Sequence, residues 1–593
     1  MSLDAYKILL TKYSTEYNAL SKKLGFLGFT RLIFFLAAIA CLYFYFMDHN
    51  SGWLIATFIL MALFFVFVRL YQQTKDRSTF TQKLIDINTA EIAFLQGEPL
   101  PYDDGEEFVD THHAYSYDLD IFGRGSLYAC LNRTTTSYGK ESLAKALVNT
   151  NTTAIIERQE SVRELAGMVN FRQHIQASGS LHVIEQSDMD KLKTWLKLPV
   201  IFKNPLNYYL LLLPPLTLLA SLILYFSSDN SVFLNVFSGL FIFNFLATAA
   251  FLKGIMKHVS ASTAVGKVLD QFEKQLKEIE AQGFQASLLR DLQKRLSPRR
   301  SSAAKNIKQL GALFKYLDFI INPVMSAILN GLSLFHIHIL FALDKWKKRN
   351  SGQVLNWLHT IGEFESLNSF ANLAFNNPGY CYPAIEKQET IDAVEMAHPL
   401  IRKEKTVSND ISFERQKFVV LTGSNMSGKS TFLRTLGVNI VLAKAGSVAC
   451  AKSFSLYPYN LYVSMRITDS LQDSESFFYA ELKKLREIIQ HLEQGNKTFV
   501  MLDEILRGTN SNDKHSGTVG LIRKLVAHHA TGIIATHDLT IGELSKEYPG
   551  YIGNKCFESE IVNGELVFDY KLKEGVCTKL NASFLLKKMG VID

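Results

Sequence analysis

Four stretches of this chain carry no formal charge, and they come in pairs: Leu32 to Met47 with Trp53 to Val68, and Tyr208 to Phe226 with Val232 to Leu252. A helix that is apolar all round has no face to offer water, and about 20 such residues are enough to cross a bilayer. The second pair has that length. The first is shorter and relies on Arg31 and Arg69 reaching towards the headgroups. The connectors "DHNSG" and "SSDNS" hold no Lys or Arg. The outer flanks hold Lys22, Lys23, Arg31, Arg69, Lys75 and Arg77, then Lys197, Lys203, Lys253 and Lys257. Positive flanks stay inside, so the pattern predicts two transmembrane hairpins in the cytoplasmic (inner) membrane, with both termini in the cytoplasm. No cleavable signal is expected, because the first apolar run starts only at Leu32 and lacks a small-residue cleavage site.

A fifth apolar stretch, "YLDFIINPVMSAILNGLSLFHIHILFAL", holds Asp318, Asn322, Pro323, Asn330, His336 and His338. A fifth span would also put the two halves of the chain on opposite sides of the membrane. The stretch is therefore expected to be a buried helix of the soluble core, with its histidines as ordinary core or surface residues.

The 593 residues allow several domains and a large core, and the net charge of +7 permits an anionic partner without demanding one. Six cysteines stand apart, with no CxxC pair, so neither a zinc site nor a disulfide framework is indicated.

From Phe418 the pattern changes to "FVVLTG", a glycine-rich turn, and "STFLRTLGVNIVLAKA" with helical periodicity. Gly423, Gly428, Lys429 and Ser430 meet the G-x-x-x-x-G-K-S spacing of a phosphate-binding loop, through Ser424, Asn425, Met426 and Ser427 and on to Thr431. In such a loop, backbone amides at a helix N-terminus wrap the phosphates, the lysine reaches the terminal ones, and the serine hydroxyl binds magnesium. A second apolar strand, "TFVML", ends in Asp503 and Glu504, suited to the magnesium shell and to a base that polarises the attacking water. A third, "GIIAT", ends in His537, placed to sense the terminal phosphate or that water. Three strand ends with three complementary functions predict a parallel α/β ATPase with its ligand, ATP with Mg2+, at the carboxyl edge.

With these residues in view, "TGSNMSGKST" resembles the ATPase loop of the MutS mismatch-repair family, within the ABC-type ATPase superfamily. Asn425 and Met426 are the telling pair. The similarity continues through "AHPLI" (Ala397 to Ile401), "VSNDISF", "LDEILRGTNSNDKHSG", "ATHDLTIGEL" and "FDYKLKEGVCTKLNASFLLKKMGV". Upstream, "LNRTTTSYGKESLAKAL", "ERQESVRELAGMVNFRQHI" and "IGEFESLNSFANLAF" are similar to that family's helical core. The resemblance implies a homodimer in which each chain supplies a signature serine to the nucleotide held by the other. Ser476 in "ITDSLQDSESFFYAEL" stands at that position, although it also suits the N-cap of the helix that follows. The run Arg507 to Ser511 resembles the loop that crosses such an interface.

The chain also departs from the family. It has no Phe followed two residues later by Glu, the motif that inserts the mismatch-reading wedge, and the short helical tail that often follows the ATPase is missing. Thr406 falls where an adenine-stacking aromatic would be expected. A basic cluster of Lys294, Arg295, Arg299, Arg300, Lys305 and Lys308 could bind DNA phosphates or sit against anionic lipid, but a solvated loop is the commonest use of such a run.

The expected fold is thus an α/β P-loop ATPase domain of MutS type over 395–593, preceded by an all-α region interrupted by two hairpins. That region divides into a cytoplasmic helix (1–30), hairpin 1 (31–72), first core part (73–205), hairpin 2 (206–256) and helical lever and core (257–394). The expected protein is a membrane-anchored, Mg-dependent ATPase and homodimer with lipid as a partner. Duplex DNA is a further partner in one reading, without mismatch specificity. In the other it is a mechanochemical ATPase that no longer binds DNA. A transporter half is disfavoured by the small number of spans and the absence of an LSGGQ-type run.

Overall fold

No proline occurs before Pro99, and the first two helices are correspondingly long: α1 (Ser2–Asp48) and α2 (Ser51–Leu95) pack side by side as an antiparallel pair. His49 turns the chain with φ 48°, and the Asn50 side chain accepts from the Gly52 N–H to start α2. The structure is a computed structural model that describes residues 2–148, 153–297, 301–466, 477–562 and 565–578.

The helical region continues through α3 (Leu127–Leu131), α4 (Ser137–Val148), α5 (Ile155–Gly167), α6 (Val169–Gly179) and α7 (Gln186–Lys197). The second apolar pair follows, with α8 (Pro205–Leu210), α9 (Leu213–Ser228) and α10 (Ser231–Ala250). Then come α11 (Leu252–Ala281), α12 (Ser287–Leu296), α13 (Ala303–Leu317), α14 (Pro323–Ser333) and α15 (Phe335–Asn376). Among the described residues four helices are long and apolar enough to cross a membrane: α1, α2, the Tyr208–Ser228 stretch and α10. Their apolar side chains point outward, as Phe58, Ile59, Ile223 and Leu246 do.

The roots of the two pairs are polar and buried. Below the first, Glu91 of α2 is 1% exposed and bonds Arg133 at 2.9 Å, while Asn372 and Asn376 of α15 donate to it at 2.9 and 3.1 Å. The Tyr6 hydroxyl of α1 donates to the same two asparagines, at 3.2 and 2.8 Å. Below the second, Asp344 accepts from the Ile201 and Phe202 N–H groups at 2.7 and 2.8 Å, and Lys347 donates to the Leu198 carbonyl at 2.8 Å.

The fifth apolar stretch corrects the expectation of one buried core helix. That holds for Phe335–Leu343, the inward-facing start of α15, and fails for Asp318–Ser333. Asn322 is extended at φ −88° and ψ 109°, as a residue before proline is driven to be, and the chain bends by 111° there. Beyond the bend, Val324, Met325, Ile328 and Leu332 of α14 are exposed.

All strands lie after α15. β4 (Phe418–Gly423), β6 (Asn460–Ser464), β7 (Thr498–Asp503), β8 (Thr531–Thr536) and β9 (Ile552–Phe557) run parallel, and β12 (Lys573–Glu574) adds an antiparallel edge in the order β12-β9-β4-β8-β7-β6. A smaller sheet orders β1 (Ala384–Ile385), β5 (Ser453–Leu456), β2 (Ile391–Met396) and β3 (Asn409–Ser412) as β1-β5-β2-β3. β10 (Ser559–Val562) pairs with β11 (Glu565–Phe568).

Every residue of β4, β7 and β8 is buried, so these strands read as continuous apolar runs, as parallel strands covered on both faces do. Alternation divides β4 between two cores. Val419 and Leu421 join the large core shared with α16 (Lys429–Ala445) and the helical region, while Phe418 and Val420 join the core under α17 (Phe477–Glu493) and α18 (Ser511–Ala527). The α/β part is locked to the helices by Arg158, which donates to the Lys444 and Ala445 carbonyls at the end of α16 (2.8 and 3.0 Å). Buried Asp118 accepts from the Met465 and Arg466 N–H groups and from Lys484.

Candidate functional site

The glycine-rich turn lies where β4 hands over to α16. Met426 and Gly428 take left-handed backbone, at φ 69° and 102°. Alternating hands turn successive N–H groups to one side and make an anion-holding concavity. At Gly428 the backbone strains any L side chain, and a Cβ would stand 3.0 Å from the Tyr570 ring.

The first residues of α16 carry the polar groups. Lys429 is buried and donates from Nζ to the carbonyls of Gly423 and Ser424, at 2.7 and 3.0 Å. Burial pulls its pKa below the usual lysine value, against the opposing charges of Glu504 and Asp503. Ser430 donates to Asp503 Oδ2 at 2.6 Å, across from α16 to the last residue of β7. Burial raises the Asp503 carboxyl above the usual range, and the Ser430 hydrogen bond opposes that rise.

Glu504 has φ 47°, and Leu506 has φ 59°. Left-handed backbone at residues other than glycine costs about 1–3 kcal/mol each and persists where surrounding contacts impose it. Here the Glu504 N–H donates to the Ala535 carbonyl of β8 at 2.9 Å, and Arg507 Nε donates back to the Glu504 carbonyl at 2.9 Å. The carboxylate lies 3.5 Å from Arg507 Nη2 and 3.8 Å from His537 Nδ1. Residues 423–431, Asp503, Glu504 and His537 therefore converge on the carboxyl edge of β4, β7 and β8. Ser476 lies outside the described residues.

A cleft of about 420 Å³ opens over the turn, lined by Ser424 to Thr435 on one side and by Met396, His398, Thr406 and Asn409 on the other. Two buried hydroxyls of its lining, Ser424 Oγ and Ser427 Oγ, have no hydrogen-bond partner, nor has Asp503 Oδ1 beside Ser430. Buried polar groups are normally satisfied. Two hydroxyls and a carboxylate oxygen left for a ligand, beside a lysine and a cradle of amides, form a donor set that fits a magnesium-bound phosphate chain.

Two residues of the cleft escape motif reading. Tyr570 comes from beyond β11, held by Asn409 Nδ2 donating to its carbonyl at 3.0 Å and Lys571 donating to the Ser408 carbonyl at 2.7 Å. With Phe432 and Phe557 it gives the cleft its aromatic surface, whereas Thr406 lines the wall and turns its hydroxyl to the Arg402 carbonyl at 2.8 Å. His398 sits in the quoted "AHPLI" stretch. Burial, with Arg434 nearby, pushes its pKa down to about 4, and its Nδ1 accepts from the Leu400 N–H at 3.3 Å, as a neutral ring does.

The basic cluster is partly neutralised: Lys294 pairs with Asp291 at 2.8 Å and Arg295 with Glu363 at 3.1 Å. Arg299 and Arg300 lie outside the described residues.

Comparison with known proteins agrees with this geometry in the C-terminal part of the chain. Residues 419–587 match the family model of MutS domain V. The protein named DNA mismatch repair protein MutS is 28% identical over 236 residues in Thermotoga maritima, covering 39% of this chain and 29% of that protein. In Chlorobium phaeovibrioides it is 30% identical over 224 residues, 36% of this chain and 25% of that one. In Bacteroides fragilis it is 29% identical over 226 residues, 36% and 26%. The chain thus spans less than a third of the length of these relatives. Residues 419–587 are thus similar to MutS domain V, and the likeness to the MutS proteins lies in this C-terminal part of the chain.

Proposed function

We propose that the protein is a membrane-anchored, Mg-dependent ATPase that works as a dimer. The single observation that carries this reading is the Ser430 to Asp503 hydrogen bond beside the buried Lys429 and three unpartnered polar atoms. Lys429 and the amides of residues 424–428 would hold the phosphates, and Ser430 and Asp503 the metal. When bound, Mg2+ neutralises charge on the phosphate chain and fixes its orientation. Glu504, aimed by its strained backbone and bonded to β8, would orient and deprotonate water, and His537 beside it would sense the terminal phosphate. Ser476 would complete the partner's site in the dimer. The four long apolar helices would anchor the assembly in a bilayer, with basic flanks on the ATPase side.

Two readings of the work done by hydrolysis follow. Kinship with proteins named for DNA mismatch repair favours action on duplex DNA. The ion pairs of Lys294 and Arg295 favour the second, a mechanochemical ATPase of the membrane that does not bind DNA. The test is steady-state ATP hydrolysis by the full chain in liposomes, with and without duplex DNA, against Glu504→Gln. The variant should bind ATP and turn over about a hundredfold more slowly or worse. Parental turnover by that variant would remove the assignment of the base, and stimulation by DNA would decide for the first reading.

A further inference from the structure

We propose that α14 and the ends of the helices flanking it form a re-entrant wedge, seated in the cytoplasmic leaflet against the second hairpin. The inference rests on the membrane reading of α9 and α10 and adds a lipid-facing element to it.

The first observation is chemical. Between Asp318 and Asp344 no residue carries a formal charge. On α14, Val324, Met325, Ile328 and Leu332 lie along one outward stripe, with Val324 at 70% exposure. Their spacing is that of a single helix face.

The second observation is what lies behind that stripe. Gly331 packs so closely on Phe241 of α10 that a Cβ would stand 2.3 Å from its ring. Asn244 of α10, fully buried, donates to the Gly331 carbonyl at 3.0 Å. An amide in the middle of an apolar helix needs a partner inside the protein when hydrocarbon surrounds it, and so does a carbonyl at a helix end. The Asn244 N–H and the Gly331 carbonyl satisfy each other, while Asn244 Oδ1 is left without a partner. Asn330, next along, accepts from the His336 N–H at 3.0 Å across the break between α14 and α15.

The third observation is depth, from two helices that act as rulers. Asn244 lies two turns inside the end of α10, about 10 Å above Phe251 at 1.5 Å per residue. Phe251 and Phe341 both pack on Phe202, at centroid distances of 5.7 and 5.8 Å, which sets Phe341 of α15 at the level where α10 ends. Phe335, in contact with Phe319 at 6.3 Å, lies again about 9 Å above that level. Lys253 and Lys257 follow just below. Both rulers put α14 inside the apolar layer and short of its middle, since a bilayer core is about 30 Å thick. The 111° bend at Asn322 and the reversal at Leu334, φ 52°, return the chain to the side from which it came. The wedge therefore leaves the number of crossings even and the ATPase in the cytoplasm.

The occupant of the exposed stripe is thus the acyl chains of the bilayer, continuous with those around α10. A fluorescent amino acid is incorporated singly at Val324, Ile328, Ile223 and Lys345 of the full chain in liposomes, and quenched by acyl-chain doxyl lipid or by aqueous iodide. Val324 and Ile328 should follow Ile223, quenched by doxyl and shielded from iodide, and Lys345 should do the reverse. Iodide quenching at Val324 and Ile328 while Ile223 reports lipid overturns the wedge. Protection from both quenchers overturns it also, since the stripe would then be covered by protein such as a second copy. Loss of the lipid signal at Ile223 overturns the spanning reading instead. Gly331→Leu, which drives α14 off Phe241, should lower doxyl quenching at Ile328 and leave Ile223 unchanged. An unchanged Ile328 signal would deny that this contact seats the wedge.

Discussion

The nucleotide end and the hairpin end of this molecule are packed inside out relative to each other. At the sheet, β4, β7 and β8 hide apolar side chains, and buried polar atoms without partners, on Ser424, Ser427 and Asp503, lie beside the cleft. At the hairpins, Phe58, Ile223 and Leu246 face outward, while Asn244, Thr248, Asn330 and His336 are turned in, each with at least one hydrogen bond, although Asn244 Oδ1 and His336 Nε2 have none. One rule produces both: each region hides what its surroundings cannot satisfy. On the membrane-ATPase reading the difference would lie in the surroundings, water with a polar ligand at one end and hydrocarbon at the other.

The largest change should come from emptying the polar end. Lys429→Ala should lower nucleotide affinity by about a thousandfold or more, some 4 kcal/mol, in a titration with fluorescent ATP. Loss within tenfold would mean that the cleft is not built around this charge. Next comes the joint between the two regions. Glu91→Leu leaves Arg133 buried without its partner, and breaking a buried pair in this way costs about 3–5 kcal/mol. Thermal unfolding of the purified chain in detergent should fall accordingly, and a double change with Arg133→Met should recover much of the loss.

A smaller effect sharpens the contrast at the apolar end. Phe58→Lys, on the outer face of α2, should disfavour membrane insertion by about 2–3 kcal/mol, measured as the fraction integrated in an insertion assay. A surface facing water would register within about 0.5 kcal/mol. The smallest concerns Tyr570→Ala, which should weaken nucleotide binding by about 1 kcal/mol through lost aromatic contact and leave turnover at saturation unchanged.

What the sequence made legible follows the same division. Apolar runs announce themselves wherever they lie, so the four long helices and the all-buried strands were readable, as was the loop spacing from Gly423 to Thr431. Asp503 and Glu504 were readable because they end such a run. Tyr570 was not, since it is brought to the cleft by hydrogen bonds from Asn409 to its own carbonyl and from Lys571 to Ser408, far from the loop in sequence. Glu91 reads as one more surface acid in a helix, and only the fold sets it among Arg133, Asn372 and Asn376. The stretch from Asp318 to Ser333 misled because periodicity cannot tell a core helix from one that bends at a proline and turns its apolar face outward.

α15 has a mechanical consequence of its own. Its 42 residues form one uninterrupted rod of about 60 Å. It starts beside the exposed stripe of α14 and ends beside the hydrogen bonds that join Cys381 to Ala449 of the α/β region. A rod of that length converts angle into distance: a tilt of about one degree at its upper end moves its lower end by about 1 Å. Hydrogen bonds are made or lost over a few tenths of an ångström. A tilt of α15 too small to alter any contact near α14 is therefore large enough, at the other end of the rod, to be felt as a shift in register where the helices meet the sheet.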